Sequence, residues 1–311
     1  MHHIDPLSLG SRREFLRRVG MGLGGVAMAS LLQQELRGAD IRIDPLHPLA
    51  ARKAPLPCKA KRVIHIFANG GASQVDTFDR KVALDKYHGK TLPGDYIATE
   101  RRTGAAFRSP FSWKRYGKSG LEVSELFAKT AEHADDLCVI RSMKADVPNH
   151  EPSLLLMNCG EARQVRPSMG SWVTYGLGTE NENLPGFMTL CPGGFPIQET
   201  QNWQCGFLPG VYQGNYVDSS KKTVEELIEN IRNAGLSRPA QRKQLDLLAR
   251  INASHQSLHP QDAALEARAQ SFEMAYRMQL EATDAFDISR ESISTREMYG
   301  DTTQGRQFLI A

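Results

Sequence analysis

The chain has no run of about eighteen uninterrupted apolar residues, and so no ordinary membrane span. It also lacks a C-x-x-C pair. Its five cysteines (Cys58, Cys138, Cys159, Cys191 and Cys205) make an odd number, which argues against zinc clusters. In oxidising surroundings Cys191 and Cys205 are the closest candidates for a disulfide, with buried free thiols an equally good reading. No basic run interleaved with aromatics is present, and a net charge of +3 is too small for a nucleic-acid surface. No internal repeat of about twenty to fifty residues is evident, which sets solenoids aside. Strand candidates are scarce as well: three in 311 residues is few for an α/β chain of this size.

What is present begins at the N-terminus. Ser11-Arg12-Arg13-Glu14-Phe15-Leu16-Arg17-Arg18 precedes a mildly apolar segment rich in Gly and Ala, Val19 to Leu32. Paired arginines, Phe-Leu and a weak hydrophobic stretch form a twin-arginine export signal, which carries folded cargo across the bacterial inner membrane. The alternative is an amphipathic basic helix at a membrane surface. The expectation is a signal over residues 1–36 and export to the periplasm or cell envelope. The twin-arginine export machinery is then a partner, and the membrane is met only through the signal. Residues 37–60 carry Pro45, Pro48, Pro55 and Pro57 among polar groups and read as a linker to a domain over 61–311.

The domain opens with RVIHIFANGGASQVDTFD, Arg62 to Asp79. Val63 to Phe67 is a short apolar run that breaks at Asn69-Gly70-Gly71, which predicts a buried strand of a parallel sheet. His65 alternates into that strand and is expected in the core or on the sheet. In open α/β sheets ligands bind beyond the carboxyl ends of strands, where Asp76 falls. A second buried strand is expected over Leu137 to Met143, followed closely by Asp146, Asn149, His150 and Glu151. Pro152 then opens a helix that finishes at Gly160, since proline suits a first helical turn. A helix N-terminus offers N–H groups to an anion, and an imidazole or carboxylate beside it can bind metal or move a proton. The plainer reading is a capping cluster with one solvated histidine.

If both strands share one parallel sheet, their ends face the same edge and Asp76 and His150 converge. Oxygen and imidazole ligands suit zinc, manganese or iron better than calcium. A hydrolytic centre needs at least three protein ligands and an open position, and this pair supplies two.

Elsewhere, residues 80–118 read as a long irregular excursion and Ser124 to Ala134 has helical spacing. A helix over Ser168 to Leu177 ends at Gly178, and Phe187 to Leu190 is the third strand. Thr223 and Glu226 form a capping box for a helix to about Asn233. Ser237 opens a helix with apolar Leu245, Leu248 and Ile251, and a long alanine-rich helix is expected over Gln261 to Phe286. Thr302 to Ala311 is an amphipathic helix that stops mid-pattern, which suggests a fragment or a truncated product.

The segments GGASQVDTFD, LDKYHGKTLPG, SPFSWKRYGKSGLEVSELF, HADDLCVIRSM, NHEPSLLLMNCG and RPSMGSWVTYGLGTENENLPGF follow one another in order. Together they resemble the exported bacterial proteins grouped as domain of unknown function 1501, a sulfatase-like branch of the alkaline phosphatase superfamily. The resemblance implies an α/β fold: an α/β/α sandwich of alkaline-phosphatase or sulfatase type, here its N-terminal part, with a helical C-terminal stretch. It further implies hydrolysis of sulfate or phosphate esters at a one- or two-metal site. The divalent metal (zinc, manganese, iron or calcium) is left open, and the substrate is a sulfated or phosphorylated small molecule or polysaccharide.

Matching Pro152-Ser153 and Met157 to Gly160 to the sulfatase pattern places His150 where the nucleophilic Cys, Ser or Thr stands. That leaves His150 as a metal ligand, a general base or a phosphorylated nucleophile. The aspartate usual after the first strand is replaced by Asn69-Gly70-Gly71, so the resemblance passes the ligand role to Asp76 and, after it, Asp79. The competing expectation is a non-catalytic exported module that binds a glycan, an anion or a protein partner.

Overall fold

A computed structural model describes residues 43–44, 47–54, 56–94, 104–181, 183–221, 223–228, 231, 233, 235–258 and 263–311. The twin-arginine segment lies outside these residues. No described helix is long and apolar enough to cross a membrane.

The chain is a mixed α/β structure dominated by helices, with two small two-stranded sheets among the described residues. Among the described residues two short helices come first, α1 (Gln74–Thr77) and α2 (Val82–Tyr87). A hairpin follows, β1 (Trp113–Tyr116) paired antiparallel with β2 (Leu121–Ser124). The expected irregular excursion over 80–118 is corrected by α2 and β1. Its overlooked signal is the Gly117-Lys118-Ser119-Gly120 turn, between one four-residue run with two aromatics, Trp113 and Tyr116, and another with alternating Leu121 and Val123.

Gly117 takes φ 63°, and a Cβ there would meet the Asp135 carboxylate at 2.5 Å. That carboxylate accepts the Lys118 and Ser119 backbone N–H groups at 2.9 and 2.8 Å. These two bonds hold the Asp135 carboxyl below its ordinary range. Asp135 thus pins the hairpin turn.

Helices α3 (Ala128–Ala131), α4 (His150–Cys159) and α5 (Met169–Leu177) come next. Ser168 caps α5, its Oγ accepting the Ser171 N–H, and Gly178 ends it, as its sequence predicts. The other end of α5 is held by Arg52, from the segment read as linker. Its guanidinium donates to the carbonyls of Thr174, Tyr175 and Gly176 at 3.1, 2.6 and 3.3 Å. A cation on the last carbonyls of a helix satisfies orphan acceptors and opposes the negative end of its dipole.

Strand β3 (Met188–Leu190) confirms the third predicted strand and pairs in parallel with β4 (Asn215–Val217). Beyond them lie α6 (Val224–Leu227), α7 (Arg238–Leu258), α8 (Ala263–Ala285), α9 (Ile293–Tyr299) and α10 (Thr303–Ile310). The Thr223 hydroxyl donates to the Glu226 carboxylate at 2.8 Å, yet α6 ends well short of Asn233. The reason is local: Ile228 turns extended (φ −122°, ψ 119°), and Ile231 is buried in the core.

That core joins Val217 of β4 to Leu227, Ile231, Met278 and Phe286, and to Ile310 of α10. Helix α8 therefore covers the parallel sheet. Helix α7 leans on α8 through a two-pronged Arg242–Glu273 pair, both contacts 2.8 Å, and leaves Leu247 and Ile251 exposed.

Two expected strands are absent. Residues 62–68 and 137–143 enter no ladder. Their apolar side chains stand in solvent: Val63 is 68%, Ile66 71%, Ile140 63% and Met143 70% exposed, and His65 is exposed rather than in a core. A parallel strand is held by hydrogen bonds to neighbours and by cover on both faces, and neither run has these among the described residues.

The five cysteines are free, so the Cys191–Cys205 bridge is not formed. Burial pushes the Cys191 thiol up to about 11, which leaves it protonated and unreactive near neutral pH.

Candidate functional site

The first loop of the candidate site is built by glycine. Asn69-Gly70 turns the chain, with the Gly71 N–H donating to the Ala68 carbonyl at 2.8 Å. Gly70 takes φ 81°, in the left-handed region that side chains rarely adopt. Helix α1 starts three residues on, with the Asp76 N–H bonded to the Ser73 carbonyl at 3.1 Å, so Asp76 lies in its first turn and is half-buried. Asp79 is buried and its carboxylate meets the Lys81 ammonium at 2.7 Å. That ion pair accounts for Asp79 without a ligand role.

The second loop leads into α4. Asn149 is extended (φ −96°, ψ 148°) and His150 is the first helical residue, followed by Glu151 and Pro152. Proline has no N–H, so the first turn keeps the His150 and Glu151 amides as its anion-facing donors. The Ser153 hydroxyl donates back to the carbonyls of Val147, at 3.1 Å, and Asn149, which ties the loop to the helix. Asp146 points into solvent with Lys144 at 3.5 Å, away from a shared cluster.

The two loops meet. A Cβ placed on Gly70 would stand 3.8 Å from Nδ1 and 3.9 Å from Cε1 of the His150 ring. The imidazole therefore lies against the bare backbone of the glycine turn, although the strands expected to bring it there are not formed. Of the sequence candidates, His150 is joined to the turn that precedes Asp76, while Asp79 is engaged by Lys81.

Gln198 completes the surroundings and carried no sequence signal. Its amide donates to the Glu151 carboxylate at 2.7 Å. Gln198 (φ 71°) and Glu199 (φ 43°) both sit in the left-handed region, which costs energy outside glycine and gathers at functional sites.

A metal centre does not fit these residues alone. No three His, Cys, Asp or Glu side chains among the described residues converge to hold an ion, and a hydrolytic site of this class takes three. The donor set of His150 and Asp76 stays one ligand short.

A family model described as a protein of unknown function (DUF1501) matches residues 60–311. The chain belongs to the DUF1501 family. No curated protein and no solved structure matches it. The matched span takes in every element of this DUF1501 chain from the glycine turn to α10, including both loops of the site.

Proposed function

We propose that this DUF1501 chain belongs to an exported, sulfatase-like protein that hydrolyses sulfate or phosphate esters and shares the α/β/α sandwich of the alkaline phosphatase superfamily. One observation carries the reading: the His150 ring rests on Gly70, so the loop at the superfamily's first ligand position touches the residue at its nucleophile position. An exposed imidazole there acts as a general base. It takes a proton from the attacking water and returns it to the departing alcohol. Asp76 follows the glycine turn, in the first turn of α1. With His150 kept as the base, a divalent metal would need ligands besides Asp76, and would supply positive charge to the ester oxygens.

Purified full-length protein supplied with zinc, manganese or iron is expected to turn over one of a matched pair of aryl sulfate and aryl phosphate monoesters. His150→Ala should lower that rate about a hundredfold or more. Turnover of neither ester, or an unchanged rate in the variant, would sink the hydrolase reading.

The second reading, a non-catalytic exported module for a glycan, an anion or a protein partner, is favoured by the incomplete ligand set. It predicts ligand binding without turnover in the same assay. The export half of the proposal is tested separately. Joint Arg12→Lys and Arg13→Lys substitution should strand the protein in the cytoplasm, and undiminished export would remove the twin-arginine assignment.

A further inference from the structure

Residues 197–203 bear on α4 at both of its ends. At the far end, the Asn158 side-chain amide donates to Asn202 Oδ1 at 3.1 Å, and Cys159 Sγ lies 3.6 Å from the Gln201 carbonyl oxygen. At the near end, the Gln198 amide donates to the Glu151 carboxylate at 2.7 Å, one residue past His150. A helix of ten residues is about 15 Å long, so the segment reaches from its first turn to its last.

The reach depends on an unfavourable backbone. Gln198 (φ 71°) and Glu199 (φ 43°) follow one another in the left-handed region, which a residue other than glycine keeps only where its surroundings over-determine it. Asn202 supplies that determination. It is 6% exposed, and its side-chain N–H groups donate to the carbonyls of Ile197 and Glu199, on either side of Gln198, at 2.9 and 3.0 Å. Its Oδ1 takes the bond from α4, so both ends of this buried amide are satisfied. A short 3-10 helix, Glu199–Trp203, continues the segment. The Gln204 carbonyl beyond it accepts the Ser168 N–H and the Ser171 hydroxyl, at 3.1 and 3.2 Å, which anchors the segment on α5 as well.

We infer that residues 197–203 brace the helix that carries His150. Gln198 fixes the first turn of α4 through Glu151, and Asn202 fixes Gln198. Both are positioning residues, acting through the helix that sets the imidazole against Gly70. The catalytic consequence rests on the ester-hydrolase reading, whereas the positional one is read without turnover.

The test follows the Gly70 amide signal of the full 311-residue chain by nitrogen–proton correlation spectroscopy. The His150 ring lies against this glycine, and its loss in His150→Ala marks the end point. Gln198→Ala removes the amide and keeps the strained φ, whereas Gln198→Gly removes the amide and relieves the strain. The glycine variant should therefore unfold at the higher urea concentration of the two. Both should nonetheless move the Gly70 signal alike, toward its position in His150→Ala, and Asn202→Ala should move it further. In the ester assay both Gln198 variants should lower kcat about tenfold with KM little changed. Absence of turnover in wild type and variants alike would sink the hydrolase reading and leave the signal shifts to decide this one. The brace is overturned by an unmoved Gly70 signal in both Gln198 variants, or in a folded Asn202→Ala. It is equally overturned by a shift in the alanine variant that glycine abolishes, because the effect would then be backbone strain alone. Should Asn202→Ala fail to fold, the Gln198 pair decides.

Discussion

The β3–β4 pair and the run Val63 to Phe67 start from similar material and end differently. Phe187 to Leu190 and Val63 to Phe67 are each a short apolar segment that local composition reads as strand, whereas Asn215–Val217 carried no such reading. Met188–Leu190 finds a ladder in Asn215–Val217, and α8 and α10 close over it until Val217 is wholly buried. Val63, Ile64 and Ile66 find neither ladder nor cover, and each is about two-thirds exposed or more. The difference lies in the neighbours rather than in the run. Apolar β-branched residues state a demand for burial, but a strand exists only where another strand and a covering layer meet that demand. The same contrast holds for Leu137 to Met143, whose expected place was beside the first run.

The comparison is broken most forcefully from its packed side. Phe286 is 3% exposed in the core that seals β4. Phe286→Ala should cost about 3–5 kcal/mol, through lost transfer energy and the cavity left behind. A urea titration monitored by far-ultraviolet circular dichroism measures it. A loss under about 1 kcal/mol would mean that α8 does not cover the sheet as described.

Local signals carried well where they specify their own partner. Ser168 with Gly178, Ser237 before Arg238, and Thr302 before α10 each mark a helix end within the chain's own turn, and all three helices form. The helix closing at Gly160 was equally legible, although it opens at His150, two residues before the expected Pro152. Strands 62–68 and 137–143 were not, because their existence depends on residues far away in sequence. The hairpin was hidden by its setting among glycines and charges. In the site, a shared sheet edge led to the expectation that His150 meets Asp76; the contact present is between the His150 ring and Gly70, and it arises from loop packing instead. Gln198 had no motif to announce it. What distinguishes it is a left-handed φ, which is a property of the folded chain.

The hairpin stands between the two regions, a sheet held by its turn as well as by packing, and pH sharpens its position. Asp135 titrates below the ordinary carboxylate value of 3.8 because two turn amides donate to its charged form. A depressed folded-state value contributes stability that is present above the unfolded value and lost as pH falls through the folded one. Amide exchange protection of the turn should therefore weaken as pH drops below about 4. Asp135→Asn should show less protection at neutral pH and a flatter profile on acidification. If wild type and variant have the same profile between pH 5 and pH 2, other carboxylates hold the turn.

The bare run offers the smallest effect, and the most direct check on the contrast. Ile66 is 71% exposed, so polar replacement removes no buried contact. Ile66→Ser should shift unfolding free energy by no more than about 0.5 kcal/mol, as exposed substitutions do. An unpaired apolar segment rich in β-branched residues is nonetheless a template for other chains, so the same change should lower concentration-dependent association. Light scattering across a dilution series reads that term, and urea unfolding at one low concentration reads the other. A destabilisation above about 1 kcal/mol would show that Ile66 is covered in solution. The run would then belong with β3 and β4, and the distinction between demand and supply would no longer divide this chain.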